Sequence, residues 1–442
     1  MFAKNATRST EPVSMRPFFL IWSGQALSLL GSSLVQFALV WWLTRTAGSA
    51  TVLALASLMA MLPQVFISPV AGALVDRWNR RLVMMVADGL IALAVVVLAA
   101  LFALDKVQVW HIYVLMFIRA VGGAFHWPAM QASTSLMVPE KHLTRVAGLN
   151  QALQGVGSIV APPLGALLLD LLPMQGLLAV DVVTAVLAIT PLFFVAVPQP
   201  ERTVAAEGTS PSSVVADLRQ GWRFMRDWPG MLLVMGMAML INLLIHPAVS
   251  LQPLLVTDHF GGGAFELAWL QSAFGVGIVA GGITLSAWGG FKRRIITALV
   301  ALVLNGIGFA LVGLAPANGF PLAVGAMFFA WFMNPIVNGS MFAVLQAVVP
   351  AEMQGRVFTV LMSGSGAMVP LGLAIAGPLA DGLGVRAWFL AAGVAMVAIG
   401  IGALFVPAVM RIEDKAAETP IPAETTPVTP LGDSAAVPAP AQ

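Results

Sequence analysis

The chain has 442 residues with a net charge of +2; it is 59% hydrophobic, 10% charged and free of cysteine. Soluble domains carry about 25% charged residues, and one soluble core could not hide this much apolar surface, so at a mean hydropathy of +0.91 the surplus must face lipid. The basic residues are scattered through short loops with no aromatic-rich basic face, which argues against nucleic acid, and the missing cysteines exclude disulfides and thiolate chemistry.

Residues 1–16 are polar and lack an apolar stretch followed by a small-residue cleavage site. No cleavable signal peptide is expected, and the first span serves as an uncleaved one. Twelve apolar runs follow, at 17–44, 50–75, 82–104, 109–138, 143–170, 176–197, 230–256, 266–290, 295–315, 320–349, 357–383 and 385–409. A helix needs ~20 apolar residues to cross a ~30 Å hydrocarbon core. Backbone groups in lipid must be satisfied within their own segment, so the runs predict helices. They lack the apolar/polar alternation of a membrane barrel. The expected fold class is all-α integral membrane, with about twelve transmembrane helices in two six-helix bundles at 17–197 and 230–410.

Between the bundles lies a polar connection, 198–229. Its second part predicts an amphipathic helix, with Val215, Leu218, Trp222 and Met225 on one face and Arg219, Arg223 and Arg226 on another. The tail, 411–442, is rich in Pro, Ala and Thr and is expected to be disordered. Eighteen basic residues fall on the side of the termini, against three (Arg45, Lys106 and Arg386) on the other, with Arg119 inside a span. This bias predicts that both termini are cytoplasmic.

The two halves repeat each other. VPEKHLTRV at 138–146 matches VPAEMQGRV at 349–357, pairing Pro139 with Pro350 and Arg145 with Arg356. The same offset relates Asp170 to Asp381, both near the outer ends of their spans. Two homologous bundles suggest a central path about which the halves rock.

Three motifs stand out. The first is GALVDRWNRR, residues 72–81, where Gly72, Asp76, Arg77, Arg80 and Arg81 are spaced as in the signature between spans two and three of the major facilitator superfamily, which the chain resembles. Asn79 replaces a usual glycine, and asparagine tolerates a left-handed turn. The positive-inside bias accounts for the arginines but not for Asp76 or its spacing from Gly72. The resemblance implies a cytoplasmic latch, with Asp76 at the N-terminus of span eleven in the other half, where a helix dipole favours an anion.

The second motif is LMFIRAVGGAFHWP, residues 115–128. Arg119 lies about ten residues from the outer end of its span, or ~15 Å at 1.5 Å per residue. A charge at that depth costs at least ~2.5–3.5 kcal/mol and must face the bundle or water. It resembles the span-four signature of proton-coupled facilitators. The third motif, GLNQALQGVGSIVAPPLGA from 148, places Gly148, Gly157, Pro162 and Gly165 as in the span-five pattern of the exporter branches, with Ala161 and Ala166 in place of glycine. Other stretches, such as 253–277, resemble the drug:proton antiporter branch that holds macrolide-efflux and enterobactin-export proteins.

The reading is a secondary active efflux transporter in a bacterial inner membrane, exporting an amphipathic or hydrophobic small molecule by proton antiport with alternating access. An importer or lysolipid transporter on the same fold is the alternative; a membrane receptor or an intramembrane enzyme is more remote. No nucleotide-binding or metalloprotease motif is present, and no cofactor or metal is expected. Its partners are a small-molecule substrate, protons and the bilayer, with the chain acting as a monomer. Coupling candidates are Arg119, Asp88 and Asp181. By resemblance spans one, four, seven and ten line the cavity, where Gln25, Gln36, Trp41, His126, Trp127, Asn242, His246, Trp331, Asn334 and Asn338 are candidate contacts.

Overall fold

The computed structural model describes residues 15–75, 77–199 and 211–414, without the side chains of Pro69, Ala73 and residues 211–218. Every regular element among them is helical. The first six helices are α1 (Arg16–Ala47), α2 (Ala50–Val75), α3 (Arg80–Ala103), α4 (Val109–Met137), α5 (Glu140–Leu171) and α6 (Met174–Phe194). After α7 (Pro211–Arg226) come α8 (Pro229–Ser250), the short α9 (Gln252–Leu254), a π-turn (Leu255–His259) and α10 (Ala264–Trp288). The chain continues through α11 (Arg294–Leu314), α12 (Phe320–Val348), α13 (Ala351–Leu383), α14 (Val385–Leu404) and α15 (Pro407–Met410). Twelve helices, α1–α6, α8 and α10–α14, are long and apolar enough to cross a membrane. The protein is a multi-pass membrane protein.

For α5 and α13 the apolar runs understate the helices. Both begin early, at Glu140 and Ala351, directly after Pro139 and Pro350. Proline suits a helix start because the first N–H groups lack intrahelical partners. The run at 230–256 is broken: α8 ends at Ser250, and Pro253 stands in the first turn of α9. α1 and α10 stop at Gly48 and Gly289, whose φ values of 56° and 76° are left-handed. α7 seats on the start of α13: a Cβ added at Gly221 would lie 2.6 Å from the Arg356 carbonyl oxygen. Met225 is buried, whereas Trp222 remains 45% exposed. Val215 and Leu218 lie outside the described side chains.

Helices pack mainly within their own half: α2 on α4 and α1 on α6 in the first, α11 on α12 and α14 in the second. Lipid supplies no apolar driving force between helices, so close packing of small residues matters. A Cβ added at Gly277, Gly281, Gly306 or Gly393 would strike the backbone of a facing helix. Two seams join the halves, α2 with α13 and α5 with α10.

The cores divide by depth. Near the face where α1 begins, one buried cluster (Phe18, Met84, Leu192) belongs wholly to the first half. A second (Met231, Leu299, Val357) belongs wholly to the second. Toward the opposite, far face the clusters mix: Leu43 and Leu53 pack with Leu251, Leu254 and Ala376, and Phe37 packs with Leu255 and Leu267. Among the described residues the halves meet in the middle and at the far end.

Candidate transport site

Arg119 on α4 is satisfied from two other helices. Its Nη1 donates to Asp181 Oδ2 on α6 at 3.0 Å, and its Nη2 donates to the Ser32 carbonyl on α1 at 2.9 Å. Ser32 Oγ closes the triangle by donating to Asp181 Oδ1 at 3.0 Å. The Asp181 side chain is only 3% exposed and that of Arg119 14%. Neither charge could stay at this depth alone; opposite charge and hydrogen bonds to both carboxylate oxygens offset the desolvation. The run at 176–197 put Asp181 about one turn into its span; α6 begins two residues earlier, at Met174, about half a turn more, and its packing on α1 and α4 sets Asp181 level with Arg119.

A second acid sits one layer nearer the termini. Asp88 on α3 accepts from Gln25 Nε2 at 3.0 Å, and His126 Nε2 lies 3.5 Å from its other oxygen. His126 Nε2 makes no hydrogen bond among the described residues. Gln25 and Ser32 are seven residues apart on α1, as are Arg119 and His126 on α4. Two helical turns rise ~10.5 Å, so the two carboxylates form stacked polar layers inside the first half.

A cavity of about 580 Å³ lies between the halves. Arg119, Gln36, Gln154 and Pro162 border it from the first half, and Gln252, Gln271 and Phe274 from the second. Its size falls in the ~300–1,000 Å³ range of small-molecule sites. A larger groove of about 1080 Å³ runs along the outside of α3 and α4 from Trp78 to Trp110. Its apolar side chains, such as Leu82, Leu90 and Leu93, are exposed and suit lipid.

Of the expected cavity residues, Gln36 and Arg119 border this space. Gln25 and His126 are engaged around Asp88 instead. Trp331 is buried behind Phe274, with ring centroids 4.2 Å apart. Trp41 packs partly buried against the same core, and Trp127 is 46% exposed. Asn242 donates back to the Ala238 carbonyl, and Asn338 to the carbonyl and side chain of Asn334. His246 is half-buried on α8. In the span-five motif, Gly165 admits Phe37 of α1, since a Cβ there would lie 2.8 Å from the ring. Gly157 faces Leu30 of α1, Pro162 is buried, and Gly148 has open space around it.

Asp76 lies outside the described residues. Gly72, on the last turns of α2, has nothing within 4 Å of an added Cβ. Arg77 is exposed in the turn. Arg80 Nη1 donates to the Ala132 carbonyl at the end of α4, and Arg81 Nη2 to the Phe193 carbonyl at the end of α6. Arg81 thus serves the C-terminus of α6, and Arg80 bonds the last turns of α4, both within their own half. Asn79 adopts φ −69° and ψ 109°, not a left-handed turn. Its side chain accepts from Leu82 N and caps α3, the commonest use of asparagine at such a position.

The far seam holds a residue to which the sequence gave no role. Asp381, near the end of α13, caps α2 from across the molecule. Its carboxylate accepts from Ala50 N at 2.6 Å and Thr51 N at 3.1 Å. The hydroxyls of Thr51 and Ser49 add bonds at 2.6 and 3.0 Å. Around it Gly377 lets α13 close on Thr51, and Ser57 Oγ meets Ser250 Oγ at 2.5 Å. The available signals were the repeat partner Asp170 and the Ser49–Thr51 start of α2.

The model of the Major Facilitator Superfamily matches residues 21–247 and again 231–437. Macrolide efflux protein A of Streptococcus pyogenes is 33% identical over 384 residues, 87% of this chain and 94% of the relative. Multidrug efflux pump Tap of Mycolicibacterium fortuitum is 30% identical over 412 residues, 90% and 97% of the two chains. In fold, the chain is similar to the nucleoside transporter NupG (D323A mutant), with a TM-score of 0.67 at 13% identity, covering 88% of this chain and all of that one. A POT family transporter in complex with 5-aminolevulinic acid gives a TM-score of 0.66 at 13% identity, covering 89% and 96%. Twelve spans, a family match in each half and relatives aligned along most of their length agree. The chain belongs to the major facilitator superfamily and is a membrane efflux transporter, not an enzyme.

Proposed function

We propose that the protein exports an amphipathic, macrolide-like small molecule from the bacterial cytoplasm across the inner membrane by proton antiport. The observation that carries this reading is that Arg119 borders the central cavity while its charge is held by Asp181. A guanidinium does not give up its proton in a protein, so within this pair only the Asp181 carboxylate can carry the transported proton. A proton on Asp181 releases Arg119 toward the cavity; substrate on the Arg119 side favours an ionised Asp181. Proton and substrate are thereby linked with opposite sign, as antiport requires.

The basic bias places the termini, and hence the face where the halves stay apart, in the cytoplasm. The conformation is then inward-facing, sealed outside by the α2–α13 and α5–α10 seams. In the opposite, outward-facing state Asp76 holds the cytoplasmic ends together. The macrolide class is taken from the first relative, and export from both. The test is uptake of the macrolactone erythronolide B into inverted membrane vesicles driven by an imposed proton gradient. Wild type accumulates the macrolactone and Asp181→Asn does not, although Asp181→Asn still binds it. Gradient-driven accumulation at wild-type rates in Asp181→Asn would overturn the coupling assignment.

A further inference from the structure

We infer that glutamines from both halves form an amide-lined recognition site for uncharged, oxygen-rich lipophilic molecules, and that this cavity disfavours lipophilic cations. The inference rests on the efflux reading and narrows its substrate. Gln36 on α1 and Gln154 on α5 border the cavity from the first half and Gln271 on α10 from the second, with Gln252 of α9 buried in its wall, so both halves supply amides to one cavity. The amide groups of Gln36, Gln154 and Gln271 bond no other described residue; Gln252 Nε2 has a single contact, with Met327 Sδ at 3.7 Å. Each amide offers both an acceptor and two donors. Left unpaired toward a cavity, they are free to serve hydroxyls, esters and ketones. Phe37 and Phe274 supply apolar contact to the remaining surface.

The charge pattern points the same way. Arg119 is the only ionisable side chain among the described residues lining the cavity, and Asp181 neutralises it. An entering cation would lose its hydration and find no carboxylate, a costly exchange. With a proton on Asp181 the layer carries a net positive charge, which repels cations further. An uncharged ligand avoids both penalties and gains the amide hydrogen bonds, and those amides come from both halves. It therefore bridges the parts that move, which ties recognition to the transport cycle.

Equilibrium binding of two probes to the full-length protein in lipid nanodiscs tests this: erythronolide B, an uncharged macrolactone, and tetraphenylphosphonium, a cation without hydrogen-bonding groups. Wild type should bind erythronolide B at least about tenfold more tightly, the scale set by one or two buried hydrogen bonds. Replacing Gln36, Gln154 and Gln271 by leucine should weaken erythronolide B about tenfold or more. Gln271→Glu puts a carboxylate in the cavity and should tighten tetraphenylphosphonium about tenfold instead. That gain of affinity requires a folded site, so it separates recognition from misfolding. Equal binding of both probes by wild type, or erythronolide B affinity within twofold in the leucine variant, would overturn the inference. Gradient-driven erythronolide B uptake into vesicles is measured in parallel. If uptake persists without the binding preference, the glutamine site falls and efflux stands; if the preference is present without uptake, the efflux reading falls and the site stands.

Discussion

At the scale of single residues, the Arg119–Asp181 pair has both structural and functional consequences. Removing one partner of a buried ion pair leaves an uncompensated charge and costs about 3–5 kcal/mol, whereas replacing both with apolar groups of similar size is often neutral. Arg119→Ala should therefore lower the unfolding temperature in detergent. Arg119→Met combined with Asp181→Leu should recover most of the loss and still show no gradient-driven transport. Arg119→Lys keeps the charge but cannot bond Asp181 and the Ser32 carbonyl in the same forked geometry, so it should transport at a reduced rate. Unfolding of Arg119→Ala at the wild-type temperature would mean that the pair has no structural weight.

At the scale of helices, the far seam depends on charge and on close approach. Asp381 satisfies N–H groups that the first turn of α2 cannot satisfy internally, and the helix dipole favours its charge there. Asp381→Asn removes that term, and the proton-bearing amide nitrogen cannot accept. A change of about 1–2 kcal/mol moves a two-state population roughly 5- to 30-fold. Spin labels at Lys106 and Asn318, both exposed on the far face in different halves, should therefore report a larger share of long distances. Gly377→Val should act in the same direction, because a Cβ would lie 2.8 Å from Thr51 Cα across the seam. Asp76→Asn should act in the opposite direction. Distances unchanged in Asp381→Asn and Gly377→Val alike would remove the seam's role in holding this state. By contrast, added bulk at Gly277 meets α12 within the same half, so Gly277→Val should destabilise the bundle rather than shift its conformation.

At the scale of the whole molecule, orientation and state are coupled. If the termini are cytoplasmic, a cysteine at Asn79 reacts only with membrane-permeant maleimides in intact cells, and one at Lys106 reacts with impermeant reagents as well. The absence of native cysteine makes each label unique. The reverse pattern would place the sealed face in the cytoplasm and invert the transport reading. Locking the far seam with a disulfide between cysteines at Ser57 and Ser250, whose hydroxyls already touch, should abolish transport until it is reduced.

The sequence by itself determined the solvent and the element type. Twelve apolar runs of spanning length leave the backbone no alternative to helices, and their order in two sixes follows from where the polar connection falls. It also marked Arg119, because a charge ~15 Å in from the end of an apolar span, near its centre, is legible from position alone. Its partner was not legible. Asp88 and Asp181 read alike, and only the packing of α6 beside α1 and α4 puts Asp181 at 3.0 Å while giving Asp88 to Gln25 and His126. Which polar residues border the cavity was not legible for a related reason: polarity on a span says that a side chain needs a partner, not whether that partner is a neighbouring helix or a ligand. Gln25 found Asp88, Asn242 found its own helix, and Gln36 found none. Asp381 was the extreme case. A carboxylate at a helix end is unremarkable in sequence, and its partners at Ser49–Thr51 lie more than three hundred residues away. Such pairings depend on how the two halves meet, and contacts between distant segments leave no periodicity in the chain for a sequence pattern to record.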